Sequence, residues 1–265
     1  MWKEIVVDDW KHFIDISSLF ESKGWIFRGQ CSSEWGLETS LFRECKKLDM
    51  KLNNETLLSV ERKMIREFNS SYKLYTHHTI PPLGDITTST SDDILEWKLN
   101  TLSTMQHYGS PTRLLDWTYS LYLATFFALD GASNNFCVYA LNMNELSKRH
   151  HVFGEQKRRI FQKSESPEIF LFSFEPYEKN ERIRKQQGLF LVPSIIEKKI
   201  DDILNIYGIE EGKFHGEDVA FKIIFNGENI MEWWYKLKQM NITHESIYPG
   251  LEGFCKSLKL NILDV

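Results

Sequence analysis

Short apolar runs of strand character are scattered along this chain without the regular alternation with helices that a parallel sheet needs. Trp25-Ile26-Phe27, Phe136 to Leu141, Ile169 to Phe174, Gly188 to Val192 and Val219 to Phe225 each read as a strand. Arg113-Leu114-Leu115 reads as one more short strand. Between them lie segments with helical spacing: Val7 to Glu21, ended by Gly24; Glu55 to Tyr75; a stretch from Asp92 to His107; Tyr119 to Leu129; Met231 to Met240; and Leu251 to Leu260. Asp92 and Asp93 suit the N-cap and first turn of the third helix, and Asp116 or Thr118 suits the cap of the fourth. Ala124, Thr125 and Ala128 put small residues on one face of that fourth helix and permit close packing. Thr76 to Ser91 is rich in Thr, Ser and Pro and reads as a loop; its Thr87 to Ser91 end is suited to covering a site or simply connecting. The strands follow no strict βαβ order, so an α+β fold is expected.

Composition narrows the classes. Aromatic residues make up 14% of the 265 residues, enough large rings to fill a substantial core. No apolar run reaches the ~18 residues of a membrane span, and MWKEIVVDDWKHF carries acids where a signal peptide needs an apolar stretch. A cytoplasmic protein with no membrane partner is the expectation. The formal net charge of −5 argues against broad attraction to nucleic acid or anionic lipid. Cys31, Cys45, Cys137 and Cys255 form no C-x-x-C pair, so reduced structural thiols and no metal are expected. No repeat or linker interrupts the chain, which reads as a single domain over 1–265 with helical additions at both ends. P-loop, Rossmann, H-E-x-x-H and G-x-S-x-G patterns are all missing from it.

Two clusters stand apart from an ordinary core. In Trp25-Ile26-Phe27-Arg28-Gly29-Gln30 an arginine interrupts an apolar strand. A buried guanidinium needs a partner and cannot shed its charge. Two readings stand: an internal ion pair with a carboxylate, or a two-pronged grip on a phosphate. Gly29 then lets backbone or ligand come close. The second cluster is Gln106-His107-Tyr108-Gly109-Ser110-Pro111-Thr112-Arg113-Leu114-Leu115-Asp116-Trp117-Thr118. Its density of hydrogen-bonding side chains around a glycine turn is what a polar ligand pocket requires. Asp116 also suits a pair with Arg113 or Arg28, and His107 and Tyr108 also suit ordinary packing. The basic stretches Lys148-Arg149-His150-His151, Lys157-Arg158-Arg159 and Glu181 to Lys185 read as solvated faces, with contact to a nucleic-acid backbone the less favoured use. Trp233-Trp234 reads as core plus a lid.

Phe27-Arg28-Gly29 and the run from Gln106 to Thr118 resemble the two signatures of the FRG-domain family. Weaker similarity continues through Gln186-Gln187-Gly188-Leu189-Phe190 and through Ile242, Ser246 to Pro249 and Leu251 to Gly253. A more distant resemblance is to ADP-ribosyltransferases of the Arg–Ser–Glu type. Phe27-Arg28-Gly29 looks like their first strand, Leu114 to Thr118 sits where a Ser-Thr-Ser strand would be, and Gln187-Gly188-Leu189-Phe190 sits where a Glu strand would be.

The resemblance implies a mixed, mostly antiparallel sheet with surrounding helices. It also implies a pocket for NAD or a related nucleotide, acting in ADP-ribosyl transfer or NAD cleavage toward an unspecified macromolecular acceptor, in a toxin or phage-defence setting. On that basis Arg28, Gly29, Gln106, Tyr108, Arg113, Trp117 and Thr118 are the expected nucleotide-binding residues, and Asp116, His107 and Gln187 the expected catalytic ones. Gln187 is neutral where the transferases carry Glu, so either Asp116 supplies the charge or the protein binds a nucleotide without transferring it. The alternative from another class is a non-catalytic nucleotide- or nucleic-acid-binding module whose motif residues form a structural polar network.

Overall fold

The computed structural model describes residues 1–75, 90–149, 152, 154–177, 181–259 and 261. Its strands are β1 (Lys3–Val7), β2 (Trp25–Gln30), β3 (Leu115–Thr118), β4 (Phe136–Asn142), β5 (Leu171–Phe174), β6 (Gly188–Pro193), β7 (Lys213–Phe214), β8 (Glu217–Asp218) and β9 (Ala220–Phe225). Seven of them form one sheet in the order β1-β9-β4-β2-β3-β6-β5, and β7 and β8 make a separate hairpin. Every pairing in the large sheet is antiparallel except β1 with β9. The fold is therefore α+β with a mixed, mostly antiparallel sheet and surrounding helices, as the sequence predicts.

Strand alternation assigns the two faces. On β2, Trp25 and Phe27 pack with the Leu121–Leu129 helix, while Ile26 packs on the opposite face with Leu115, Trp117 and Tyr139. Register carries the first face across the sheet: Phe27 sits opposite Thr118, and Asp116 opposite Phe190. Phe190 and Val192 of β6 then pack against Leu99, Leu102 and Met105 of the Ser91–His107 helix. One face of the sheet thus carries two helical layers, side by side. The Leu121–Leu129 helix covers the β4-β2 half and the Ser91–His107 helix covers the β6-β5 half. The gap between them lies over β2 and β3, which share a single paired position, Phe27 with Thr118.

Several boundaries differ from the sequence expectation, each for a local reason. The strand expected at Arg113 to Leu115 runs instead from Leu115 to Thr118, because Arg113 and Leu114 turn into the core under the helices. Ser120, rather than Asp116 or Thr118, caps the following helix by accepting from the Leu123 amide at 3.2 Å. Thr90, rather than Asp92, caps the Ser91–His107 helix in a reciprocal capping box with Asp93. Lys3–Val7 is a strand paired to β9, so the first helix begins only at Trp10, capped by Asp9. Residues 76–89, which hold most of the Thr76–Ser91 loop, and His150 and His151 of the first basic stretch lie outside the described residues. Trp233 and Trp234 are both buried in the core. All four cysteines are free, and no described helix is long and apolar enough to cross a membrane.

The C-terminal segment is pinned to the Leu121–Leu129 helix through Asp130. His244, fully buried, faces the Asp130 carboxylate at 3.1 Å, and Lys259 reaches it at 2.5 Å. The His244 ring lies parallel to Trp234 and to Tyr248 and edge-on to Phe126. Burial alone would raise the Asp130 carboxyl, but its neighbours His244 and Lys259 pull it down to about 2. A carboxyl held below its unfolded value of roughly 3.9 contributes stability above that pH and loses it as the pH falls toward the folded value. Urea unfolding midpoints measured between about pH 5 and pH 2 should therefore fall more steeply for the wild type than for Asp130→Asn. Parallel curves would remove Asp130 as the pin.

Candidate functional site

The gap between the two helical layers is a cavity of about 270 Å³. Phe27, Gly29, Asp116, Thr118 and Phe190 of β2, β3 and β6 line it, together with Ser103, Gln106 and His107 from one helix and Phe127 from the other. Arg182, Gln186 and Tyr248 close it from the far side. A pocket walled by aromatic rings and fitted with a few polar groups is the usual form of a small-molecule site, and this volume is near the lower end for one.

The second sequence cluster builds this site by dividing its labour. The Ser91–His107 helix ends at Tyr108 and turns on Gly109, whose φ of +88° is one that only glycine adopts freely. Ser110 donates to the Met105 carbonyl and Gly109 to that of Gln106, both at 2.9 Å, which closes a Schellman cap. Gln106 is thereby left on the last turn, facing β3. Its Oε1 accepts from Thr112 Oγ1, and its Nε2 donates to Asp116 Oδ2 at 2.8 Å. Thr112 is itself held: its amide donates to Ser40 Oγ at 2.9 Å and its hydroxyl accepts from the Leu114 amide at 3.1 Å. The Asp116 carboxylate, open to solvent, is therefore set by a chain of side-chain hydrogen bonds, and no other carboxylate lines the cavity among the described residues.

Arg28 reaches across between β2 and β3 and donates from Nη1 to the Asp116 carbonyl oxygen at 2.5 Å. Among the described residues no carboxylate comes within 4.0 Å of its guanidinium, and its Nε is buried without a hydrogen-bond partner. Burial lowers its pKa, opposed by the charge of Asp116 and reinforced by that of Arg43. The expected ion pair with an interior acid is thus absent for Arg28. Gln186 Nε2 is a second buried donor with no partner. Both orphaned donors belong to residues that line the cavity.

The structure separates the other expected site residues. His107, Trp117 and Thr118 line the cavity with Asp116 and Gln106. Trp117 belongs to the core cluster on the opposite face, and Thr118 Oγ1 is committed to the Gln186 carbonyl at 2.8 Å. Gly29 lines the cavity too, but it is needed for packing: a Cβ there would overlap the Ala124 carbonyl oxygen of the neighbouring helix. Three of the expected residues lie off this cavity. Arg113 is not on the cavity; it is fully buried and paired with Glu61. Tyr108 is 61% exposed and also lies off the cavity, since it is the C-cap of a helix that ends there. Gln187 is the turn between the Glu181–Lys185 helix and β6, with a left-handed φ of +47°, and its carbonyl accepts from the Tyr119 amide.

Ser103, Arg182, Gln186 and Tyr248 are cavity residues that the sequence reading did not select. Gln186 stands beside Gln187, and nothing in two consecutive glutamines says which one faces inward. Arg182 was hidden in a basic stretch of solvated appearance. No curated protein and no solved structure matches the chain. Residues 23–136, the stretch that supplies Arg28, Gln106, Asp116 and Thr118, match the model of the FRG domain.

Proposed function

We propose that the cavity is a nucleotide site for a phosphate-bearing ligand of the NAD type. The observation that carries the reading is the pair of buried donors without a partner among the described residues, Arg28 Nε and Gln186 Nε2, bordering one cavity beside the Asp116 carboxylate. An unmet buried donor costs about 1–3 kcal/mol, and a ligand rich in acceptor oxygens would relieve it. Arg28 would hold phosphate, and the rings of Phe127, Phe190 and Tyr248 would cover the flat part of the ligand. Cleaving an N-glycosidic bond builds positive charge on the ribose. Asp116, kept in place by Gln106, is the group able to oppose that charge, in the role that neutral Gln187 cannot fill. NAD cleavage or ADP-ribosyl transfer is the reaction class that follows, and consumption of NAD is chemistry suited to a toxin or a phage-defence effector.

The test combines titration calorimetry with a nicotinamide-release assay. Arg28→Gln is expected to weaken ADP-ribose binding about ten- to a hundredfold, the worth of a charge-assisted hydrogen bond. Asp116→Asn should keep binding but lower nicotinamide release by about a hundredfold or more. If neither NAD nor ADP-ribose binds the wild type, the nucleotide reading falls. The second reading, a structural network without a ligand, is favoured by the buried Arg113–Glu61 pair. It predicts that Arg28→Gln unfolds the chain rather than sparing it. A nucleic-acid target would instead show affinity that drops steeply with salt.

A further inference from the structure

Arg182 is the second guanidinium on the cavity, and it differs from the basic residues around it. Lys185 is paired with Glu181 at 3.3 Å and Lys256 with Glu252 at 2.6 Å. Among the described residues, Arg182 has no carboxylate within 4.0 Å and no hydrogen-bond acceptor. What holds it is the ring of Tyr248, 4.8 Å from its Cζ. A ring contact of this kind orients the planar guanidinium without using any of its N–H groups. All five donors remain free beside a cavity that Arg28 borders from a different element. Tyr248 is itself fixed, since it packs in the core cluster, lies parallel to the buried His244 and bears Lys256 at 4.7 Å.

Resting on the nucleotide reading above, we propose that Arg182, steadied on Tyr248, is a specificity residue that takes the second phosphate of a diphosphate-linked nucleotide. Two guanidinium groups, one from β2 and one from the Glu181–Lys185 helix, then face two phosphates across a lining that contains, among the described residues, one carboxylate. A monophosphate satisfies one of them and leaves the other unmet. The cavity therefore prefers ADP-ribose to AMP, and that preference is the property of Arg182.

The experiment is titration calorimetry of the full chain with ADP-ribose and with AMP, for the wild type, Arg182→Gln and Tyr248→Phe. Arg182→Gln is expected to weaken ADP-ribose binding about tenfold or more while leaving AMP unchanged, so that the preference collapses. Tyr248→Phe keeps the ring under Arg182 and should keep the preference. Melting curves check that each variant is folded. If Arg182→Gln does not fold, Arg182→Lys, which keeps the charge and loses the fork, should reduce the preference in part. An unchanged ADP-ribose-to-AMP ratio in a folded Arg182→Gln or Arg182→Lys variant overturns the role of Arg182. Failure of the wild type to bind either nucleotide overturns the nucleotide site itself, which is a separate and earlier failure.

Discussion

Replacing Arg113 with Leu is expected to destabilise the protein by about 3–5 kcal/mol, the cost of stranding a buried charge. Arg113 and Glu61 are 0% and 1% exposed, and each supplies the counter-charge for the other. Arg113 Nε donates to Glu61 Oε1 at 2.7 Å and Nη2 to Oε2, a two-pronged pair. The remaining nitrogen, Nη1, reaches the Ser194 carbonyl at 3.2 Å, and the guanidinium lies over the Phe161 ring at 4.8 Å. One side chain thus joins the Asn54–Ser71 helix, the end of β6 and the segment at Phe161. Removing it leaves Glu61 dry and unpaired. The double variant Arg113→Leu with Glu61→Leu removes both charges and should recover most of the loss, because a packed apolar pair is often as stable as the ion pair that it replaces. Urea unfolding of the wild type and the two variants measures both effects. A loss below about 1 kcal/mol for the single variant, the size expected of a surface pair, would show that the site is wet.

Gly29→Ala is the second large effect. A Cβ at this position would overlap the Ala124 carbonyl oxygen and stand 2.5 Å from the Ala128 amide nitrogen. Both are backbone atoms of the Leu121–Leu129 helix, so no side chain can rotate away, and the helix itself must move off β2. Ordinary overpacking costs about 1–3 kcal/mol, and a rigid backbone obstacle belongs at the upper end of that range. A loss of about 3 kcal/mol corresponds to a fall of roughly 6–12 °C in Tm for a chain of this size. Phe127 travels with the helix, so ADP-ribose binding should weaken in the same variant. A Tm within about a degree of the wild type, below what 1 kcal/mol would produce, would mean that the helix slides freely over the strand.

Arg28 and Arg113 mark the limit of what the sequence could tell. Each stands in a short motif with apolar neighbours, and both were expected to bind ligand. One borders the cavity without an acidic partner among the described residues; the other is sealed against Glu61, a residue 52 positions earlier on the Asn54–Ser71 helix. Nothing near Arg113 in the chain announces that partner. Local periodicity did reveal the elements whose patterns are self-contained: β4, β9, the helix ending at His107 and the small-residue helix beyond Ser120. It failed at β1, whose five residues are a strand only because β9, more than two hundred positions away, accepts them as a neighbour. Within the site, Asp116, Gln106 and Thr118 were legible because one contiguous run supplies them. Arg182, Gln186 and Tyr248 were not, because the cavity gathers them from later segments whose own sequence looks like solvent face and turn.

The lone rung between β2 and β3 has a mechanical consequence. On either side of Phe27 and Thr118 the ladder is missing, and the Arg28 side chain bridges the seam by grasping the Asp116 carbonyl. The two half-sheets are joined there by one backbone rung and by a side-chain arm. On the nucleotide reading proposed above, a guest that draws the guanidinium toward itself would also loosen this crossbar, coupling occupancy to the width of the opening.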